Sequence, residues 1–277
     1  MYYAIKDIGC VVIHFVEFIT MRIIRLVIGF CVIGILHLAL FSCTKLASDF
    51  DETSTVSEMV AVAEKAYLKE DFARSAEIYL KVDEYFPYSD DSRTALVRAI
   101  EAYHAAARFL DLRSTSRKFI RLYPEDEKAP FAKYMVGMSY FEQIIDVERD
   151  QGATRDSIKE FSELIANYPK SEYAELAKKN IEVAKNQLAG QEMAVGRYYL
   201  KRNNPLAALK RFQTVRNQHT DTPFHPESLY RIVESYLVMG IDSQAINTYD
   251  TLKRKFPKGK WTLLAKTKLD ESRIKEK

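Results

Sequence analysis

Cysteine is scarce in this chain and confined to one end of it. The three cysteines are Cys10, Cys31 and Cys43, and none follows Cys43. The remaining residues therefore fold without an internal disulfide and depend on packing. Glycine and proline are sparse, at nine and eight residues, which leaves long periodic segments with few breaks. Beyond residue 43 there are three histidines, His104, His219 and His225. A metal centre would want more ligands clustered with Cys, Asp or Glu, so no metal site is read here. A nucleophile elbow, a P-loop and a dinucleotide fingerprint are all missing. His104, beside Tyr103, reads as a packed or capping residue, and His219 and His225 flank a Thr-Asp-Thr-Pro-Phe loop. The acidic run Glu125-Asp126-Glu127 reads as a solvated helix start. These absences argue against an enzyme, and no cofactor is expected.

A long apolar run is present once. It extends from Leu26 to Phe41, follows Arg22 and Arg25, and ends at Leu40-Phe41-Ser42-Cys43. Positive segment, apolar segment, small residue and cysteine form the layout of a secretory signal with a lipoprotein cleavage site. Residues 1–42 are expected to be removed, and Cys43 to carry the lipid that tethers the chain to a membrane. A transmembrane helix with an incidental cysteine is the alternative. Residues 1–20 carry Asp7, His14 and Glu17, and Met21-Arg22 reads as a natural start. Thr44 stands where Asp would favour inner-membrane retention, which points to the outer membrane. Residues 43–55 are polar and read as a flexible tether.

Charge divides the rest unevenly. Thr44 to Asp150 holds 15 Lys and Arg against 21 Asp and Glu, whereas Gln151 to Lys277 holds 23 against 15. A basic half could meet nucleic acid, anionic lipid or an acidic protein; secretion argues against nucleic acid.

From Val56 onward apolar residues recur at spacings of three and four. Aromatic-proline marks punctuate the pattern: Phe86-Pro87, Tyr123-Pro124, Tyr168-Pro169 and Phe256-Pro257. Proline cannot continue the preceding helix, and it suits the first turn of the next. Ser89 and Ser171 are plausible N-caps. Helices are predicted over 56–69, 72–86, 90–107, 112–122, 129–147, 154–167, 172–202, 205–218, 226–239, 242–256 and 260–274. Segment 172–202 is predicted to be one long helix bridging two subarrays, with Gly190 and Gly196 as its potential breaks.

The segments repeat. Val195, Gly196 and Tyr199 precede Ala208, Phe212 and Val215; Val136, Gly137 and Tyr140 precede Phe161 and Leu164. Ile232, Val233 and Tyr236 precede Ala245, Tyr249 and Leu252. Helix pairs at a period near 34 residues mark a tetratricopeptide array. The expected architecture is all-α: a solenoid of about five helix pairs over residues 56–275. One pair cannot bury its apolar face alone, but a stack can, and the stack offers a groove for peptides.

Several stretches resemble a particular family. They are Glu148-Arg149-Asp150-Gln151, Ala153-Thr154-Arg155, Tyr168-Pro169-Lys170-Ser171 and the run from Glu192 through Arg197-Tyr198-Tyr199 to Lys201-Arg202. Phe119-Ile120-Arg121-Leu122-Tyr123-Pro124 adds to them. They are similar to the BamD type of outer-membrane β-barrel assembly lipoprotein. The resemblance implies a lipid-anchored scaffold without enzymatic activity on the periplasmic face of the outer membrane. It implies as partners the BamA-type barrel subunit, other assembly lipoproteins and unfolded barrel precursors. An arginine of repeat four implicated in the BamA contact corresponds to Arg211, and Arg197, Lys201 and Arg202 are expected to add charge nearby. The N-terminal repeats, implicated in precursor recognition, offer Tyr67, Tyr79 and Tyr103 as candidate groove residues. The competing function is a periplasmic tetratricopeptide coordinator of cell-envelope or peptidoglycan machinery, usually without this lipidation signal or the Arg149-Asp150 insert. A lipid-anchored envelope hydrolase is disfavoured by the missing catalytic motifs.

Overall fold

The computed structural model describes residue 50, residues 53–144 and residues 151–275. The leader, Cys43, most of the tether and Glu148-Arg149-Asp150 lie outside the described residues. The described residues form α-helices and turns, with no strand. The helices are α1 (Val56–Leu68), α2 (Phe72–Tyr85), α3 (Asp90–Ala105), α4 (Phe109–Leu122), α5 (Ala129–Phe141), α6 (Gly152–Asn167), α7 (Glu172–Lys201), α8 (Pro205–Gln218), α9 (His225–Val238), α10 (Asp242–Lys255) and α11 (Lys260–Lys275). Each packs on the next, and first helices of successive pairs also touch: α1 on α3, α3 on α5, α5 on α7 and α9 on α11. That pattern is a solenoid of helix pairs, with α11 closing the last pair.

Two kinds of turn alternate, each with its own chemistry. Second helices end at Phe86, Tyr123, Tyr168, His219 and Phe256, all with φ between −125 and −134° and ψ between 45 and 62°. Proline follows four of these residues, and it disfavours the helical region for the residue before it. The next helix then starts on a cap: the Ser89 hydroxyl accepts from Ser92 N–H, and that of Ser171 accepts from Ala174 N–H. Pro130, Pro205 and Pro226 fill first-turn positions, where a missing N–H costs nothing.

Within four of the pairs the turn is a Schellman motif. The Asp71, Arg108, Asn204 and Ile241 amides donate to the carbonyls of Ala66, Tyr103, Tyr199 and Tyr236 at 2.9–3.0 Å. The residue before each donor is left-handed: Glu70 (φ 62°), Ala107 (52°), Asn203 (56°) and Gly240 (70°). Glycine fills only the last of these, although the conformation favours it. The tight turn brings α4 to a start at Phe109 rather than at the predicted 112. Ala107 is exposed. Ala107→Gly is therefore expected to stabilise the domain by about 0.5–1 kcal/mol, read as a higher urea midpoint with unchanged slope.

Close crossings hold the pairs together. A Cβ on Gly137 would lie 2.3 Å from Phe161 Cε1, and one on Gly196 would lie 2.4 Å from Phe212 Cε1. Both phenylalanines are fully buried, so glycine lets the backbone of one helix rest on the ring of the other. The second pair exchanges the sizes. Ser116 stands eight residues before Pro124, as Phe161 does before Pro169, and Ile100 takes the glycine's place; both Ser116 and Ile100 are fully buried. α7 runs unbroken for 30 residues through both Gly190 and Gly196. Its first half packs Ala177, Tyr173 and Ile181 around Phe161, and its second half packs Met193 with Phe212 and Ile232. One helix thus bridges two cores.

Buried polar groups tie successive pairs. Glu160 on α6 accepts from Arg117 Nη2 on α4 at 2.5 Å and from Lys133 Nζ on α5 at 2.7 Å. Asp83 on α2 is buried and accepts from the Ser92 hydroxyl at 2.6 Å and from Lys118.

Candidate partner-binding surfaces

The N-terminal pairs form a cavity of about 280 Å3 between α1, α2 and α3, lined by Glu64, Tyr67, Leu68, Tyr79, Arg98 and Glu101. Tyr67 is 40% exposed and packs edge-on against Phe72, with ring centroids 4.9 Å apart. Leu68, at the end of α1, is 84% exposed. Arg98 Nη1 donates to Glu101 Oε2 at 2.9 Å across one turn of α3. Tyr79 reaches the cavity wall but is 4% exposed, and burial raises its hydroxyl pKa. A second hollow of about 290 Å3 lies alongside and shares Arg98 and Glu101; Arg93, Val97, Asp126 and Lys128 complete most of its wall.

Tyr103 stands apart from this groove. It is buried with Leu96, Ile100, Leu112 and Phe119, and burial pushes its hydroxyl up to about 12. Its ring packs helices, so of the three tyrosines Tyr67 and Tyr79 reach the cavity. Sequence reasoning missed Leu68, Arg98 and Glu101. The available signals were an apolar residue at a helix end and an oppositely charged pair spaced by three.

The four basic residues of the later repeats do not gather on one face. Arg211 is exposed while the adjoining Phe212 is buried, as the repeat register requires. Its Nη1 donates to both Glu192 carboxylate oxygens, at 3.3 and 3.4 Å. Arg197 Nη1 donates to Glu227 Oε1 on α9 at 3.1 Å, and Glu227 also accepts from Arg231. Arg202 lies over the Tyr198 ring at 4.8 Å, and Lys201 is exposed. Glu192 and Arg197 are five residues apart on one helix, which places them about 140° apart around its axis. Arg211 therefore faces the side of α7 away from Arg197 and Lys201.

Among the described residues no group of His, Cys, Asp and Glu could hold a metal ion. His104 Nε2 lies 2.8 Å from Glu142 Oε1. His219 and His225 are buried at the α8–α9 turn, and both ring nitrogens of His225 lack a protein partner. Burial holds both histidines below the ordinary imidazole range. Arg216 and Lys255 push His225 the same way. A depressed folded pKa contributes stability that is present above about 6.5 and is lost as pH falls toward the folded value. The melting temperature is therefore expected to fall between pH 7 and pH 5. His225→Phe should shrink that fall, as scanning calorimetry at the two pH values would show.

Helix pairs joined by Schellman turns, closed by aromatic-proline caps and crossed glycine against phenylalanine, define a tetratricopeptide-repeat scaffold. The chain belongs to the YfiO outer-membrane lipoprotein family, whose profile matches residues 52–252. The outer membrane protein assembly factor BamD of Caulobacter vibrioides is 35% identical over 201 residues, covering 73% of this chain and 66% of that protein. The Rickettsia prowazekii protein of the same name is 29% identical over 243 residues, covering 87% of this chain and 95% of its own length. Among solved structures, the TPR2AB domain of yeast Sti1 in its complex with pHSP90 is 15% identical, with a TM-score of 0.39, over 80% of this chain and 84% of that one.

Proposed function

We propose that this chain is a non-enzymatic scaffold of the outer-membrane β-barrel assembly machinery, anchored through lipid on Cys43 at the periplasmic face. The observation that carries the reading is the family match, which runs from the end of the tether through α1 to α9 and most of α10. In this reading the last two pairs bind the periplasmic domains of a BamA-type subunit. The N-terminal groove at Tyr67 and Tyr79 takes an extended segment of an unfolded barrel precursor. Other assembly lipoproteins share the complex.

Arg211 suits the first contact. Its pair with Glu192 engages one guanidinium nitrogen and leaves the side chain about half exposed, at 46%. The remaining donors can take a partner carboxylate with two parallel hydrogen bonds. Truncating one member of a desolvated interface pair costs about 2–5 kcal/mol, whereas a rim charge mainly alters association rate. Arg211→Glu is expected to weaken binding to a purified BamA periplasmic domain by that amount, and Arg211→Gln by less. Titrations at two salt concentrations test this. Equal affinities and equal melting curves for wild type and both variants would remove Arg211 from the interface.

A further inference from the structure

We propose that the corner formed by the end of α10 and the start of α11 docks on an anionic phospholipid surface. Between Lys253 and Lys268 the chain carries six lysines, one arginine and no acid, and all seven cations are exposed. Lysines 253 and 255 complete the last turn of α10, where the helix dipole favours cations. That argument reverses two residues later. Lys258 and Lys260 stand at the start of α11, where the same dipole disfavours a positive charge. Local helix stability therefore does not account for them, and an external anion does.

The apolar residues on this corner match a bilayer. Leu263 is 64% exposed and Leu264 38% exposed. At 100° per residue both lie within about 60° of Lys260 around α11, so lysine and leucine share the outward face of its first two turns. Trp261 sits beside them, with Lys260 Nζ 5.1 Å from its ring and the Tyr230 ring stacked at 5.3 Å. The face ends where Asp270 and Glu271 begin, and Glu271 forms an ion pair with Lys268 at 3.5 Å. The two exposed leucines beside the lysines let the corner add apolar burial at the headgroup level to its charge attraction. The excess of lysine over arginine points the same way, because protein interfaces favour arginine and deplete lysine, while lysine clusters track anionic headgroups. Membership in an outer-membrane lipoprotein family places a bilayer within reach.

Trp261 is the only tryptophan in the chain and reports on this corner. The full lipidated chain is reconstituted into phosphatidylcholine vesicles and into mixed phosphatidylcholine–phosphatidylglycerol vesicles, each brominated on the acyl chains. Quenching of Trp261 is expected to be several-fold greater with phosphatidylglycerol and to fall as salt rises. The double variant Lys258→Glu, Lys260→Glu should lose that excess; Lys258→Gln, Lys260→Gln serves if the first does not fold by dichroism. Equal quenching in the two vesicle types would overturn the proposal, because the lipid anchor alone would then bring the corner near the bilayer. Absent quenching in both would overturn it as well. So would quenching unmoved by salt or by the variants.

Discussion

Phe212→Ala is expected to destabilise the repeat domain by about 3–5 kcal/mol. The ring is fully buried and fills the space between α7 and α8 beside Met193, Val215 and Ile232. Its removal leaves a cavity that two long helices cannot easily collapse into. Gly196→Ala alone should also destabilise, because the new Cβ meets Phe212 Cε1 at 2.4 Å, and a fully packed ring has nowhere to go. The double variant distinguishes this crossing from generic core loss. Once Phe212 is alanine, the Cβ at residue 196 enters empty space and gains helix propensity of about 1 kcal/mol over glycine. The double variant should therefore be more stable than Phe212→Ala, with a coupling energy on the order of 0.5–3 kcal/mol. Urea unfolding of the four proteins measures it. Additive losses would mean that Gly196 and Phe212 do not share one packing site.

Glu160→Ala is expected to cost about 1.5–3 kcal/mol, the range for lost hydrogen bonds to charged groups, because Lys133 retains an acid and Arg117 is half exposed. The Glu160 side chain is 10% exposed and that of Lys133 13% exposed. Without the carboxylate, Lys133 keeps only Glu163, at 2.6 Å, and Arg117 loses its acidic partner. Replacing Glu160 and Lys133 together by apolar residues of similar volume should restore much of the loss. The pH dependence has a definite sign. Burial pushes the Glu160 carboxyl up, but hydrogen bonds from Lys133 and Arg117 outweigh it and hold the group below the ordinary carboxylate range. Its contribution is present above about pH 4.3 and is lost as pH falls through the lower folded value. Glu160→Ala should therefore matter less in strong acid than at neutrality, as denaturant midpoints at the two conditions would show.

Residue patterns made the turns between pairs readable and the turns inside them nearly unreadable. Proline disfavours the helical region for the aromatic before it, and all four such marks end helices. The Schellman turns at Glu70, Ala107 and Asn203 carry no glycine to announce them. The i→i−5 hydrogen bonds that close each helix hold these exposed residues left-handed, against the preference of Glu70 and Ala107 though not of Asn203. Gly196 illustrates the same ambiguity: by propensity it marks a break in α7, and by packing it is where the Phe212 ring of α8 rests on the backbone. Glu160 reads in sequence as one more charge on a helix, because partners 43 and 27 residues away cannot be seen along the chain.

The candidate sites divided along similar lines. The exposure of Arg211 was legible because its position adjoins a buried aromatic in a repeat of fixed register, whereas its place at a partner contact came from the family resemblance. Its grouping with Arg197 and Lys201 was not, because closeness in sequence ignores the rotation of α7. Tyr103 could not be told from Tyr67 by residue type. Tyr103 lies near the end of α3 and faces α4, whereas Tyr67 lies near the end of α1 beside a cavity.

Isolation of the tagged chain from detergent-solubilised envelopes, followed by identification of what accompanies it, tests the functional reading most directly. A BamA-type barrel subunit is expected in near-equal amount with wild type and in reduced amount with Arg211→Glu. Recovery of peptidoglycan-synthesis proteins without any barrel subunit would contradict the reading and favour the envelope-coordinator function.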